Sequence, residues 1–224
     1  MSKGIFITGT GTDVGKTYAA ALLLKKMREA VNAGYYKAAL SGAEVIDGKR
    51  TAVDAYRVCK TAGIDGDPND YVSYIYDEAV SPHLAARNEG NPVSLDKVKQ
   101  DFVHICDKYE QVIVEGSGGI VCPIRYDSEK IMLIDVIKAL KLDVIIVSET
   151  KLGSINSAVL TYEYAVNHGI GVRGFILNNY NPDDEMQRDN KLMIEQLTGA
   201  EILGIVKENA DEIELFCGID NLIK

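Results

Sequence analysis

The sequence predicts an α/β fold, with a mostly parallel central sheet and helices on both faces. Two observations predict it. Short β-branched apolar runs alternate with helix-like stretches along the 224 residues, the pattern of strands buried on both faces. The first run, Ile5-Phe6-Ile7, also leads into Gly9-Thr10-Gly11-Thr12-Asp13-Val14-Gly15-Lys16-Thr17, which opens an apolar-periodic helix. A strand, a glycine-rich loop ending in Gly-Lys-Thr and a helix, in that order, make a phosphate-binding loop, so the sheet is expected to be P-loop NTPase-like.

Each element follows from local chemistry. Residues 5–8 read as a short strand. Residues 16–32 read as a helix with Ala20, Leu23, Leu24, Met27 and Val31 on one face and Gly34 just beyond its end. A strand over 35–37, a loop over 39–51, a helix over 52–62 and an extended stretch over 71–75 follow. Ser81-Pro82 opens a helix with proline in the first turn, where its missing N–H is harmless. Ser94 caps another that runs to about Lys108. Residues 111–115 form a buried strand ending at a carboxylate. A helix over 131–141 and a strand over 144–147 come next. Gly153-Ser154 starts a helix that Gly169 stops. A strand over 172–177, a helix from about 183 and a strand over 202–206 complete the alternation. No repeat, low-complexity tract or linker interrupts it, so residues 1–224 are expected to be a single domain.

Composition narrows the function. A formal charge of −9 argues against nonspecific nucleic-acid binding. Cys59, Cys106, Cys122 and Cys217 lack C-x-x-C spacing and read as reduced thiols of a cytoplasmic protein. His83, His104 and His168 are scattered, which disfavours a histidine metal site. The sequence enters a strand almost at once, so no signal peptide is expected, and with no apolar run of membrane-spanning length no membrane partner is expected either.

The phosphate loop supplies backbone N–H groups, helped by the positive end of the following helix. Lys16 can reach β- and γ-phosphates, and the Thr17 hydroxyl can ligate Mg²⁺. The strict spacing places a glycine five residues before Gly15; Thr10 stands there, flanked by Gly9 and Gly11. Ligands of open α/β sheets sit beyond the carboxyl ends of the strands. Lys37, Glu115 with Gly116-Ser117-Gly118-Gly119 behind it, Asn178-Asn179 and Lys207 all follow predicted strands. Glu115, after Val112-Ile113-Val114, resembles the carboxylate of a second nucleotide-binding motif. Thr17, Asp54 and Glu115 would then give Mg²⁺ a hydroxyl and two carboxylates. Asp54 reads equally well as an ordinary first-turn helix acid.

Taken together, several segments resemble the dethiobiotin synthetase family. They are Thr8 to Thr17, Tyr36-Lys37-(x)₃-Ser41-Gly42, Ser81-Pro82-His83, Val114-Glu115-Gly116-Ser117-Gly118-Gly119 and Lys151-Leu152-Gly153-Ser154-Ile155-Asn156. The resemblance runs from residue 4 to about 206. It implies ATP- and Mg²⁺-dependent, ring-closing carboxylation of 7,8-diaminononanoate with CO₂ to dethiobiotin, in biotin biosynthesis. It implies catalytic roles for Lys37, Lys16 and Thr12. It implies nucleotide contacts from Asp13, Val14, Gly15, Lys16, Thr17 and Tyr18, from Asp54, from Glu115, Gly116, Ser117 and Gly118, and, near the base, from Asn178, Asn179, Ile205, Val206 and Lys207. For the diamine it implies Lys37, Ser41, Gly118 and Gly119. The start at Ser154, Ile155 and Asn156 would take a substrate carboxylate from the neighbouring subunit of a homodimer whose active site lies at the interface. Ala38 and Lys207 stand where members often have proline. Two other readings compete. A partitioning-type P-loop ATPase would carry a signature lysine where Gly11 stands, and a GTP-dependent switch would carry Asn-Lys-x-Asp where Asn178-Asn179-Tyr180-Asn181 stands.

Overall fold

In the computed structural model, which describes residues 4–223, the chain begins with β1 (Gly4–Gly9), α1 (Lys16–Met27), β2 (Ala33–Ser41), β3 (Glu44–Ile46) and β4 (Lys49–Thr51). It continues through α2 (Val53–Ala62), β5 (Val72–Tyr76), α3 (Pro82–Asn88), α4 (Leu95–Lys108), β6 (Gln111–Glu115), β7 (Pro123–Tyr126) and β8 (Lys130–Met132). Then come α5 (Leu133–Leu140), β9 (Val144–Ser148), α6 (Ser154–Asn167), β10 (Val172–Asn178), α7 (Glu185–Thr198), β11 (Ile202–Val206), β12 (Glu214–Leu215) and α8 (Ile219–Ile223). The ends of the expected 1–224 domain, residues 1–3 and 224, lie outside the described residues.

Eight strands make one sheet in the order β12-β11-β10-β9-β1-β6-β2-β5. Every neighbouring pair is parallel except β11 with β12. From β1 the chain steps one way to β2 and β5, then returns through β6 to β9, β10 and β11. Right-handed crossovers therefore place α1 and α2 on one face and α4 to α7 on the other. Consistent with this, α1 packs on α2, α4 on α5, and α6 on α7. The central strands are buried along their length, which is why β1, β6 and β9 read as continuous apolar runs.

Four local expectations need correction. The first helix stops at Met27, not residue 32. There the Arg28 guanidinium turns to the Ala33 carbonyl (2.7 Å), and Asn32 O accepts the Glu110 N–H (2.8 Å) at the start of the next strand. Gly34 accordingly lies inside β2, where a Cβ would come within 2.3 Å of the Tyr109 ring. Second, β2 is nine residues long because β6 and β5 pair with it on either side, so the loop expected at 39–51 is the end of β2 plus the hairpin β3–β4. Third, residues 130–132 pair with β7, and the helix starts only at Leu133, with the Asp135 carboxylate accepting the Met132 N–H at 2.8 Å. Fourth, Ser94 stands at the N-cap of α4, but its side chain makes no capping bond; its N–H donates to the Tyr74 hydroxyl oxygen at 3.0 Å.

Candidate active site

The loop between β1 and α1 carries two residues in the left-handed region, Asp13 (φ 60°) and Gly15 (φ 84°). Glycine is required at the second. A Cβ there would lie 2.0 Å from Asn178 Nδ2 at the end of β10. Asn178 Nδ2 donates to the Val14 carbonyl (3.2 Å), which settles the orientation of the amide and leaves Oδ1 buried with no partner among the described residues. Lys16 is buried and curls back to donate to the Gly11 carbonyl at 2.7 Å.

Beside this loop, strand register builds an ionic cluster. Lys37 on β2 and Glu115 on β6 are directly paired positions of adjacent parallel strands, so their side chains share one side of the sheet. Lys37 Nζ lies 2.8 Å from Glu115 Oε1 and 2.7 Å from Asp54 Oδ2. The Thr17 hydroxyl donates to Glu115 Oε1 and the Tyr35 hydroxyl to Glu115 Oε2, both at 2.7 Å. Lys37 and Glu115 are 4% and 2% exposed, so this is a desolvated cluster and not a surface ion pair. Burial by itself would depress the Lys37 ammonium, but Glu115 and Asp54 outweigh it and hold Lys37 above its usual range. Burial likewise works against the Asp54 carboxylate, and the Lys37 charge overrides it and holds Asp54 low. Lys16 is pushed down by burial and then by the charge of Lys37.

These groups open onto a cleft of about 460 Å³ lined by Thr12, Asp13, Gly15, Lys16, Thr17, Tyr18, Lys37, Ser41, Asp54, Glu115, Gly116, Ser117 and Gly118. Ser117 Oγ donates to the Ala39 carbonyl at 2.7 Å, which ties the glycine loop after β6 to β2. Gly119 packs on the Gly11 backbone. A second hollow of about 320 Å³ on the other flank of the phosphate loop takes in Thr12, Val14 and Ser154, whose buried Oγ has no partner among the described residues. A third, of about 360 Å³, lies between Asn179 and Lys207. Ile205 and Val206 are buried in β11, while Ile155 and Asn156 follow Ser154 in the first turn of α6 without lining any of these hollows.

Three participants were missed. Leu40 and Arg57 line the main cleft, and Tyr35 lies beneath Glu115. Spacing held a signal for two of them. Arg57 is three residues after Asp54 on a helix, and Tyr35 two residues before Lys37 on a strand; both spacings put a residue on its neighbour's face.

Chemically, the cleft offers Thr17, Asp54 and Glu115, all hard oxygen donors. Among the described residues no group of three or more His, Cys, Asp or Glu forms a metal cage. A hydroxyl and two carboxylates fit a cation such as Mg²⁺, which keeps waters and shares substrate phosphates. Because Thr17 points its proton at Glu115, its lone pairs remain free for such a cation. None of the four cysteines is in a disulfide, and no helix among the described residues is long and apolar enough to cross a membrane.

The family model described as "AAA domain" matches residues 3–213. The ATP-dependent dethiobiotin synthetase BioD of the Alaska strain of Clostridium botulinum is 50% identical over 96% of this chain and 95% of its own length. The protein of the same name from the Eklund strain is 53% identical over 88% of each. Among solved structures, the ParA family ATPase from Chlorobium tepidum TLS aligns with a TM-score of 0.57 at 14% identity, over 94% of this chain and 87% of that one. MinD complexed with Mg-ADP from Pyrococcus horikoshii OT3 aligns with a TM-score of 0.57 at 16% identity, over 93% of this chain and 82% of that one. At such identities these two similarities establish the fold alone.

Proposed function

The chain belongs to the ATP-dependent dethiobiotin synthetase family, and we propose that it closes the ureido ring of dethiobiotin from 7,8-diaminononanoate, CO₂ and ATP. The observation that carries this reading is Lys37. It projects from a different strand than the phosphate loop, yet reaches the same cleft as Lys16 and Thr17. Two of its three N–H donors go to Asp54 and Glu115. The third is available to an oxygen of the substrate.

In the proposed sequence one amine of the diamine adds to CO₂ and loses a proton, giving a carbamate. A carbamate oxygen attacks the γ-phosphorus and ADP leaves, giving a carbamic–phosphoric anhydride. The second amine attacks the carbonyl carbon, the ring closes and phosphate leaves. Lys37 neutralises the carbamate and the transferring phosphoryl group, Lys16 leaves Gly11 O for the β- and γ-oxygens, and Thr12 donates from the loop edge. Asp13 to Tyr18 with Gly116, Ser117 and Gly118 enclose the phosphates. Ser41, Gly118 and Gly119 shape the diamine side. Thr17, Asp54 and Glu115 would hold Mg²⁺, which supplies charge neutralisation at the β- and γ-phosphates. The unpartnered Asn178 Oδ1 suits the exocyclic amino group of a base, with Asn179, Ile205, Val206 and Lys207 around it. The unpartnered Ser154 Oγ and the first turn of α6, with Ile155 and Asn156, suit a substrate carboxylate. Leu152 and Leu160, 86% and 60% exposed, give α6 and the turn before it an apolar surface that a second copy would cover in a homodimer. Cysteines that form no disulfide accord with a cytoplasmic enzyme.

Phosphate release from Mg·ATP, measured with and without the diamine and bicarbonate, tests the reading. Turnover should require both. Equal hydrolysis without them would mark a switch ATPase instead.

A further inference from the structure

We propose that Tyr35 is a positioning residue for the cation–nucleotide site, acting through Glu115; the proposal rests on the reading of Glu115 as a Mg²⁺ ligand. The Glu115 carboxylate is held at both oxygens. Oε1 accepts from Thr17 and Lys37, on the cleft side, and Oε2 accepts from Tyr35 alone among the bonds described. Tyr35 is fully buried on β2, two residues before Lys37, and its hydroxyl therefore approaches the carboxylate from within the protein.

The consequence is directional. A carboxylate anchored only at Oε1 can swing about its last torsion, which is broad and soft in glutamate. With Oε2 held from behind, Oε1 is presented toward Thr17 and the cleft in one orientation. Without the phenol hydroxyl, Oε2 becomes a buried acceptor with no donor, and the carboxylate gains by turning Oε2 toward Lys37 or water. That rotation spoils the arrangement of oxygens around the cation while leaving the phosphate loop untouched.

Tyr35→Phe removes one oxygen and keeps the ring. The measurement is calorimetric titration of ADP into the full chain across a series of Mg²⁺ concentrations, with melting temperature recorded alongside. In the parent, ADP affinity should rise with Mg²⁺. In Tyr35→Phe the Mg²⁺ concentration for half of that rise should increase by about tenfold, the order expected for one stranded buried acceptor, while ADP affinity without Mg²⁺ stays unchanged. In a Glu115→Gln background, where no charge is left to strand, adding Tyr35→Phe should fold and change the Mg²⁺ response no further. A parent that shows no Mg²⁺ response removes the metal reading, and this proposal with it. A responsive parent whose curve Tyr35→Phe overlays, even at a lower melting temperature, overturns the Tyr35 proposal and leaves the metal reading standing. So does a further loss in the Glu115→Gln background.

Discussion

Replacing Lys37 tests the centre of the site, and its cost can be worked from the cluster. Lys37→Ala strands Glu115, 2% exposed, and leaves Asp54, with a quarter of its side chain exposed, to face it across the gap. Removing one partner of a buried pair typically costs about 3–5 kcal/mol because an uncompensated charge remains. For a chain of this size each kcal/mol is worth roughly 2–4 °C in melting temperature, so a loss of about 6–20 °C is expected. Catalysis should fall further than stability explains: losing a group that stabilises developing charge typically costs on the order of 10²–10³ in rate. Lys37→Gln keeps a donor without the charge and should recover part of the stability but none of the rate. Lys37→Met combined with Glu115→Gln removes both charges and should melt close to the parent while remaining inactive. Circular dichroism melts and single-turnover phosphate release below the transition separate the two effects. A Lys37→Ala protein that melts within about 2 °C of the parent would refute the buried-pair reasoning, and near-parental turnover would refute the catalytic one.

Other perturbations probe the neighbourhood. Gly15→Ala puts a Cβ 2.0 Å from Asn178 Nδ2 at a φ of +84°, so ADP affinity by calorimetry should fall by at least about tenfold, with a lower melting temperature. Asn178→Ala removes the free buried acceptor and should narrow the preference for ATP over inosine triphosphate by about 2–10-fold in competition binding, the worth of one hydrogen bond. Cys122 is 7% exposed and its thiol is pushed up to about 11 by burial, against the opposing pull of Lys16 and Lys37, so iodoacetamide at pH 8 should label it only after unfolding and later than the half-buried Cys217. Mass-spectrometric mapping of early label at Cys122 would contradict that environment.

The phosphate loop, the strand–helix alternation and the end of β6 at Glu115 were legible because each depends on residues within one turn or one strand of each other. Gly-Lys-Thr after an apolar strand leaves the backbone few alternatives, and a run such as Val112-Ile113-Val114 is apolar only because both faces are covered. Boundaries were less legible. Val31 continues the apolar spacing of α1, yet the helix ends at Met27, because Asn32 and Ala33 are claimed by partners from the start of β6 and from Arg28. The hairpins β3–β4 and β7–β8 escaped for the opposite reason: strands of three or four residues carry little periodic signal.

By itself, then, the sequence pointed to candidate residues and to strand ends as the place of several of them. Only the tertiary structure decided how they meet. Lys37 and Glu115 are 78 residues apart, and nothing local says that β2 lies next to β6 in the register that puts Nζ on Oε1. Sequence reasoning put Lys37 and Glu115 on one crevice and grouped Thr17, Asp54 and Glu115, but gave no contact between Lys37 and the carboxylates; the fold sets the ammonium between the two carboxylates and brings Tyr35 up to Glu115. The physical reason is that strand order and register are set by burial across the whole sheet. A slip of one residue would turn Lys37 to the opposite face, and the interaction of two desolvated charges depends on tenths of an ångström that no spacing along the chain encodes.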